Sequence, residues 1–500
     1  MHIPARGTTA LRRHRDTWRL TAVAAVAGLM AAAGTVALAG PWDSGQRTGE
    51  RGAAAADLLP GTEELPGDLE PGDGLAGAEA PPGGEAAPGG GPGRAPSADA
   101  VLTPIHEAAH AGARDPSSLA GVLRPLLTDA GLGKRPGAVV VDVATGEELY
   151  GQRADAALPP ASTVKLVTAT AALHAFGADH RLVTRVVLDA DRGRVVLVGG
   201  GDTTLTAADL TELAARTARA LDRRSVREVS VGYDTGTFSG PEGRHPIGVN
   251  DNIAPLSSLV LNAGRLDDST RGPAPRAEDP AADAAAHFAR ELAAAGVAVD
   301  GDPERAAAPN GAERLANHLS EPLSDLVERI LTDSDNDLAE SLARHVAVDA
   351  GEEPTLEGAA AALTAQLTEL GIDVEGVRLA DGSGLDRAGR LTPRTLTGVL
   401  AAAADPDRPE LRPVLTGLPI AGFTGTLTSR YPEGGGGLVR AKTGTLTGVN
   451  ALAGTVVHQD GRVLAFAFLA GDTAAPADAE AALDRAAAAL TGAGPFTAEP

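Results

Sequence analysis

The first residues that could do chemistry are a serine and a lysine, Ser162 and Lys165, at the two ends of Ser-Thr-Val-Lys. Pro159 and Pro160 precede them and favour a helix start, so both side chains should lie one turn apart on one helical face. A serine hydroxyl is a good nucleophile only when a base takes its proton, and a desolvated lysine amine can be that base. The pair predicts a nucleophile with its base, although a two-residue pattern also recurs by chance.

Lysine is scarce in this chain. Of the 43 basic residues, only Lys134, Lys165 and Lys442 are lysines, and the rest are arginines. Lysine differs from arginine chiefly because it can lose its proton. Lys165 and Lys442 both fall within motifs, so we expect function to keep lysine there. Lys134, next to Arg135, has the simpler interpretation of a surface charge before a strand.

A second motif is Ser-Asp-Asn at Ser334, Asp335 and Asn336, between two predicted helices. Residues two apart do not share a helical face, so Ser334 and Asn336 can point into one site only from a turn. The alternative is that these residues cap the helix that begins near Asp337, a common role for Ser, Asp and Asn. The motif alone favours capping.

A third motif, Lys-Thr-Gly-Thr, runs from Lys442 to Thr445 near the end of a predicted strand. In a strand Lys442 and Gly444 would face one way and Thr443 the other, and the glycine would let a ligand backbone come close. This pattern favours an edge-strand substrate site. An ordinary hairpin corner that carries a cation explains it equally well.

Mixed α and β elements must position these motifs. The periodicity of apolar residues separates helices from strands, and turn residues such as those at 458–461 mark a hairpin. Strands are predicted at 138–141, 147–150, within 183–198, and at 226–239, 438–443, 449–457 and 463–469. Helices are predicted at 162–176, 207–221, 322–332, 337–348, 355–370 and 476–490.

The N-terminal part of the chain has the composition of an export signal followed by a spacer. Four arginines between residues 12 and 19 precede an uncharged apolar run at 20–39, which fits a signal peptide or an uncleaved membrane anchor within residues 1–39 better than a buried core helix. Residues 40–115 are rich in Gly, Pro, Ala and Glu and predict a disordered spacer. We therefore expect the protein outside the cytoplasm, secreted or anchored by residues 20–39, with no other membrane contact.

Composition excludes several function classes. A net charge of −23 argues against a nucleic-acid partner, because phosphate binding needs a surplus of Lys and Arg. The chain has no cysteine, which excludes disulfides and thiolate chemistry. Its 11 histidines show neither the zinc-binding His-Glu-x-x-His spacing nor a Gly-x-Ser-x-Gly elbow for a Ser-His-Asp hydrolase. We predict no metal and no cofactor, and we interpret the histidines as surface or capping groups.

Together the three motifs are far more specific than any one of them. Ser-x-x-Lys, Ser-Asp-Asn and Lys-Thr-Gly in this order are the signature of penicillin-binding proteins and class A β-lactamases. The flanking sequences strengthen the match at 160–166, 199–205, 334–340, 381–385 and 425–427. Over residues 118–490 the chain resembles the D-alanyl-D-alanine carboxypeptidase/endopeptidase family of low-molecular-mass penicillin-binding proteins, the peptidase S13 type.

That resemblance implies a fold class and a domain layout. The fold would be α/β (α+β), with the antiparallel sheet flanked by helices that penicillin-binding proteins share with β-lactamases. About 170 residues separate Lys165 from Ser334, and the family carries an inserted domain in this interval. The resemblance therefore assigns residues 116–185 and 319–495 to the catalytic domain and 186–318 to an inserted α/β domain.

The resemblance also implies the reaction. Ser162 would attack the carbonyl between two D-alanines of a peptidoglycan stem peptide, release the last one and leave an acyl-enzyme for water to hydrolyse. Lys165 would be the base, Ser334 would pass the proton to the leaving amine and Asn336 would bind the substrate amide. β-Lactam antibiotics would acylate the same serine.

The substrate's terminal carboxylate would lie against Lys442 and Thr443 beside Gly444. The backbone N–H groups of Ser162 and Thr445 would form the oxyanion hole. Ser383 and Arg387, in the stretch that begins at Asp381, are further binding candidates implied by the resemblance.

Two departures from the family pattern affect the rim of the pocket. Asn252 and Ile253 stand where family members usually carry aromatic residues, and Asp386 replaces a serine. The alternatives are a serine β-lactamase, which needs a second base that the sequence does not show, and an inactive wall-binding module on the same fold.

Overall fold

The structure is a computed structural model that describes residues 116–238, 244–431 and 434–492. The predicted signal or anchor at 1–39 and the predicted spacer at 40–115 lie outside these residues and stay predictions. In the part of the chain that is described, every helix is too short or too polar to cross a bilayer.

The described chain contains ten strands and ten helices. The strands are β1 (Gly137–Asp142), β2 (Glu148–Gln152), β3 (Val183–Asp189), β4 (Arg194–Val198), β5 (Glu228–Asp234), β6 (Ala298–Arg305), β7 (Glu313–Leu319), β8 (Val439–Leu446), β9 (Val449–Val457) and β10 (Val463–Gly471). The helices are α1 (Pro116–Leu126), α2 (Lys165–Phe176), α3 (Ala207–Asp222), α4 (Pro280–Ala294), α5 (Leu323–Asp333), α6 (Asn336–Asp349), α7 (Leu356–Glu369), α8 (Pro393–Ala404), α9 (Pro413–Thr416) and α10 (Pro476–Ala489).

The first sheet joins the two ends of the described chain. Its strand order is β2-β1-β10-β9-β8, and every neighbouring pair is antiparallel. The hairpins predicted at both ends are confirmed, and β10 pairs with β1 so that Val140 faces Phe466. Strand β8 is the outer strand, so the Lys-Thr-Gly motif lies on a sheet edge, as the sequence predicts.

This sheet is covered by helices on both faces. Alternate residues of a strand point to opposite faces, and β10 shows this directly. Ala465, Ala467 and Leu469 belong to the cluster built on α2 and α5 to α8. Phe466 and Phe468 belong to the cluster that includes residues of α1 and α10. The predicted antiparallel sheet flanked by helices is confirmed.

Helix α2 is the central element on the active face. Its residues from Lys165 to Leu173 are all buried, because helices α5, α6, α7 and α8 surround it. A helix that is apolar on every side belongs in a core. The base predicted at Lys165 therefore begins a helix that has almost no contact with water.

A second sheet is built by residues 183–319, a stretch that overlaps the predicted inserted domain. Its strand order is β6-β5-β4-β3-β7, with parallel pairing of β4, β5 and β6 and antiparallel pairing of β3 with β4 and β7. Helices α3 and α4 pack on it through a core that contains Leu213 and Phe288. The strands predicted on either side of a helix at 207–221 are confirmed.

Candidate active site

Ser162 lies in a short 3-10 turn, Ala161–Val164, that leads directly into α2. Ala161 has the left-handed φ of 45°, a conformation that costs an alanine about 1 to 2 kcal/mol. Such strain is common where a side chain is presented for chemistry. The Thr163 hydroxyl donates to the Pro160 carbonyl at 2.7 Å and fixes the turn. Ser162 itself remains partly exposed, which makes it accessible to a substrate.

The turn is enclosed by two glycines from distant parts of the chain. A Cβ on Gly384, whose φ is 82°, would collide with the Ala161 carbonyl oxygen. A Cβ on Gly444 would lie 2.7 Å from the Pro160 carbonyl oxygen. Only glycine therefore lets the edge strand and the loop around Gly384 approach the nucleophile this closely.

Lys165 is fully buried, and its amine has three partners. Its Nζ lies 3.0 Å from Ser162 Oγ, 2.7 Å from Asn336 Oδ1 and 2.5 Å from the Ser383 carbonyl oxygen. Burial lowers the pKa of Lys165 to about 8, against the opposing effect of nearby carboxylates, chiefly Asp381 and Glu340. About a tenth of this amine is therefore neutral at pH 7, and about half at pH 8.

The partners of Lys165 determine where its lone pair points. Carbonyl oxygens only accept hydrogen bonds, so the two N–H bonds of a neutral amine go to Asn336 and Ser383. The lone pair then faces the Ser162 hydroxyl, which can donate its proton. This is the geometry that a serine needs from its base.

Ser334, Asp335 and Asn336 combine both roles that the sequence leaves open. Asp335 caps α6 by accepting the Leu338 N–H at 3.1 Å. Ser334, just after the end of α5, has a left-handed φ of 60°. This turn directs the side chains of Ser334 and Asn336 into one site. The Ser334 hydroxyl reaches Lys442, while the Asn336 amide reaches Lys165.

Lys442 is the second buried amine. Its Nζ donates to Ser334 Oγ at 3.0 Å and to the Thr443 carbonyl at 2.8 Å. Burial, together with the charge of Lys165, holds the pKa of Lys442 well below its usual range. The structure thus brings Ser162, Lys165 and Asn336 into one hydrogen-bonded set and Ser334 and Lys442 into a second. The Ser334–Asn336 turn joins the two sets through the backbone.

The predicted substrate-binding residues differ in their surroundings. Thr443 is nearly buried and its hydroxyl donates to Thr426 at 2.9 Å. Thr445 is exposed and its hydroxyl donates to Glu480 at 3.0 Å. Exposed Arg387 donates to the Thr447 carbonyl at 2.7 Å.

Ser383 contributes through its backbone. The residue is fully buried and its hydroxyl donates to Asp381 at 3.2 Å, so the side chain is enclosed within the protein. Its carbonyl is the group that contacts Lys165. The type of a side chain does not show that its backbone carbonyl is an acceptor. The sequence analysis proposed Ser383 as a substrate-binding residue, on the family resemblance alone.

Sequence reasoning missed three buried groups beneath Lys165, namely Glu340, Asp381 and His245. Glu340 lies one turn beyond Asn336 on α6, so helical spacing could have identified it. The interpretation of the histidines as surface or capping groups is wrong for His245, which is 2% exposed and contacts Asp381 Oδ2 at 2.9 Å. No local pattern marks a histidine whose partner is 136 positions away.

Asn252, one of the departures from the family pattern, lies at the site through its backbone. Its carbonyl accepts the Asn336 Nδ2–H at 2.9 Å. With Oδ1 held by Lys165, this contact fixes the orientation of the Asn336 amide and leaves one N–H free of these two contacts. The pocket rim therefore helps to orient a catalytic candidate.

A serine nucleophile with a buried lysine, a Ser-x-Asn turn and an edge-strand Lys-Thr-Gly, on a helix-flanked antiparallel sheet, defines a penicillin-binding serine acyl-transferase. A family model for the D-Ala-D-Ala carboxypeptidase 3 (S13) family matches residues 119–275 and 267–490. The chain belongs to this family, as its motifs suggested, and is a serine-type D-Ala-D-Ala carboxypeptidase.

Relatives match over most of their length. The chain is 38% identical over 400 residues to a carboxypeptidase of Mycobacterium tuberculosis, which covers 76% of this chain and 85% of the relative. It is 39% identical over 394 residues to Carboxypeptidase DacB of Mycolicibacterium smegmatis, with coverages of 75% and 84%. The crystal structure of penicillin binding protein 4 (dacB) from Haemophilus influenzae shares the fold, with a TM-score of 0.61 and 23% identity over 76% of this chain and 99% of that chain.

Proposed function

We propose that the protein cleaves the terminal D-Ala-D-Ala bond of peptidoglycan stem peptides through an acyl-enzyme on Ser162. The observation that carries this proposal is the Lys165 Nζ, 3.0 Å from Ser162 Oγ with carbonyl oxygens as its other partners. Relatives named D-alanyl-D-alanine carboxypeptidase, among them one from Actinomadura at 31% identity, support the substrate class.

In this mechanism the Ser162 oxygen bonds to the carbonyl carbon of the penultimate D-alanine while Lys165 takes the hydroxyl proton. Backbone N–H groups of Ser162 and Thr445 stabilise the oxyanion. The C–N bond then breaks, and the proton reaches the leaving amine of D-alanine through Ser334. Water hydrolyses the ester and restores the Ser162 hydroxyl.

Two lysines with depressed pKa values divide the work. Lys165 acts at the nucleophile, while Lys442 touches Ser334 and, with the Thr443 hydroxyl, holds the substrate's terminal carboxylate. Asn336 presents its remaining N–H to the substrate amide. In this proposal Arg387 binds a side chain of the peptide, and the backbone at Ser383 lines the same side of the site.

Benzylpenicillin provides the direct test, because its ring amide imitates the scissile bond and leaves a covalent adduct. We expect mass spectrometry of the digested protein to find one penicilloyl group on the peptide that contains Ser162, and none in Ser162→Ala. An adduct that persists for many minutes fits a carboxypeptidase. Rapid turnover would assign the protein to the β-lactamases, and an unchanged adduct in Ser162→Ala would overturn the proposal.

The pKa of Lys165 predicts the pH dependence of acylation. Because burial lowers this pKa to about 8, the neutral amine decreases roughly tenfold per pH unit below that value. The second-order rate constant for benzylpenicillin should therefore rise between about pH 6 and about pH 8 and level off above it. Stopped-flow or competition labelling measures this profile, and a flat profile would contradict a lysine base.

The same chemistry cleaves a cross-link when the leaving amine belongs to a second stem peptide, so we include endopeptidase activity in the proposal. Incubation with defined monomeric and cross-linked muropeptides separates the two activities. Release of D-alanine without cross-link cleavage would restrict the protein to carboxypeptidase action.

Export to the cell wall is also part of the proposal. It is supported by the arginine-rich start, the apolar run at 20–39 and the Gly- and Pro-rich stretch behind it. N-terminal sequencing of the protein from membrane and culture fractions distinguishes a cleaved signal from an anchor. Recovery from the cytoplasm alone would contradict it.

A further inference from the structure

His245 is buried next to the loop whose Ser383 carbonyl contacts Lys165. Its Nε2 lies 2.9 Å from Asp381 Oδ2 and 4.0 Å from Glu340 Oε1, and all three side chains are at most 2% exposed. His245 follows the second sheet's strand β5 in the chain, whereas Asp381 and Glu340 lie in the part that carries the first sheet. The histidine therefore links the stretch at 244–253 to the catalytic centre.

Asp381 and Glu340 hold the loop that contacts Lys165. Glu340 Oε1 accepts two backbone N–H bonds, at 3.0 and 2.9 Å, and Asp381 accepts two more, at 2.8 and 2.7 Å. The donors are the N–H groups of Gly382, Ser383, Gly384 and Asp386. The position of the Ser383 carbonyl, 2.5 Å from Lys165 Nζ, depends directly on these contacts.

The cluster is an ion-pair network and not a vacant metal site. One potential ligand atom from each of His245, Glu340 and Asp381 lies within 4.8 Å of the others. Their oxygens are already taken by protein donors, and Glu340 Oε2 faces the buried Arg344 at 3.1 Å. A cation would displace these donors and with them the loop that carries Ser383.

Buried carboxylates near Lys165 create an electrostatic problem for a lysine base. Their negative charge favours the ammonium form, and Asp381 and Glu340 are the two strongest contributors. Arg344 balances Glu340. Only His245, among the described residues that contact the Asp381 side chain, can supply a positive charge to balance it.

We propose that His245 is a positioning residue whose imidazolium balances Asp381, holds the loop of Ser383 in place and thereby keeps the Lys165 amine free to accept the Ser162 proton. This proposal rests on the proposed function, because it assumes that Lys165 is the base. It assigns a catalytic contribution to a residue outside the three motifs.

The charges around both groups agree with this role. Burial opposes protonation of His245, but the hydrogen bond to Asp381 and the charges of Glu340, Asp381 and Asp386 raise its pKa overall. Burial alone would raise the pKa of Asp381, yet the His245 hydrogen bond and the backbone N–H groups lower it. Both directions favour the ionic form of the His245–Asp381 pair. The other titratable groups that face Lys165 are Glu340, Asp335, Asp337 and Lys442.

His245→Gln tests the proposal because glutamine keeps a donor for Asp381 but carries no charge. Asp381 keeps its N–H donors and stays ionised, so the acid limb of the acylation profile should move up by about one pH unit. Acylation near pH 7 should then fall about tenfold, while the plateau at high pH changes little. A purely structural role would lower the rate equally at every pH.

His318→Gln is the matched control, since His318 also lies near carboxylates, Asp202 and Asp209, but in the second sheet. Its profile should match the wild type. Asp381→Asn should move the acid limb the opposite way, and the double variant with His245→Gln should restore it. If thermal unfolding shows that His245→Gln is not folded, Asp381→Asn tests the proposal in its place.

The outcomes separate the two levels of inference. A wild-type protein that is not acylated overturns the proposed function, and acylation that does not depend on pH overturns the lysine base on which the role of His245 rests. Normal wild-type acylation with an unshifted limb in His245→Gln overturns only the role of His245. A limb that moves when a chelator is added would show that a cation, and not His245, balances the carboxylates.

Discussion

Lys165→Arg should reduce acylation of Ser162 by about a thousandfold, within the 10² to 10⁴ range typical of general acid–base groups. Arginine keeps the positive charge and the hydrogen-bond donors but cannot lose its proton. Burial lowers the pKa of Lys165 to about 8, whereas a guanidinium stays protonated in the same environment. The measurement is the rate constant for labelling by a fluorescent penicillin.

The chain provides a matched control for this substitution. Lys134 is exposed ahead of β1 and takes no part in the site, so Lys134→Arg should label at the wild-type rate. Lys165→Ala should be impaired about as strongly as Lys165→Arg, because both lack a base. Near-normal labelling of Lys165→Arg would disprove the general-base role and leave Lys165 as a positive charge only.

Ser334→Ala should lower the acylation rate by about 10² to 10⁴. The Ser334 hydroxyl lies 3.0 Å from Lys442 Nζ and is the proposed route for the proton to the leaving amine. Alanine removes that route and leaves Ser162 and Lys165 untouched. The expected result is slow acylation of Ser162 with little change in the affinity of the initial non-covalent binding of the β-lactam.

The control is Ser324→Ala, on helix α5, which ends just before Ser334; the Ser324 hydroxyl contacts Asp325 at 3.2 Å. This variant should retain full activity. We expect Ser334→Ala to fold, because Lys442 retains the Thr443 carbonyl as an acceptor. Thermal unfolding of both variants checks this. A folded Ser334→Ala that acylates within about threefold of the wild type would rule out the relay.

Much of the fold was readable in the sequence because its strongest patterns are local. The β9–β10 hairpin shows long apolar runs interrupted by a turn, and both ends of helices α5, α6 and α7 were predicted within one residue. Strand β6 gave no such signal. Its sequence, Ala-Val-Asp-Gly-Asp-Pro-Glu-Arg, is mostly exposed, and backbone pairing with β5 makes it a strand despite poor β-propensity.

The sequence by itself determined which side chains are candidates for the chemistry of the site. Three ordered motifs and the scarcity of lysine predict Ser162, Lys165, Ser334, Asn336 and Lys442 as site residues, because a nucleophile and its base need particular side-chain types at short, fixed spacings. These requirements act within single turns of the chain. They are therefore visible without a structure. The family resemblance that the motifs carry adds the role of proton relay.

Only the tertiary structure decided how the base is controlled. Ser383 acts through its carbonyl, and Glu340, Asp381 and His245 meet beneath Lys165 from positions far apart in the chain. The pKa of Lys165 depends on complete burial and on the charges that surround it, chiefly Asp381. Burial and charge balance are properties of the packed core, since they arise from residues that become neighbours only when the chain folds.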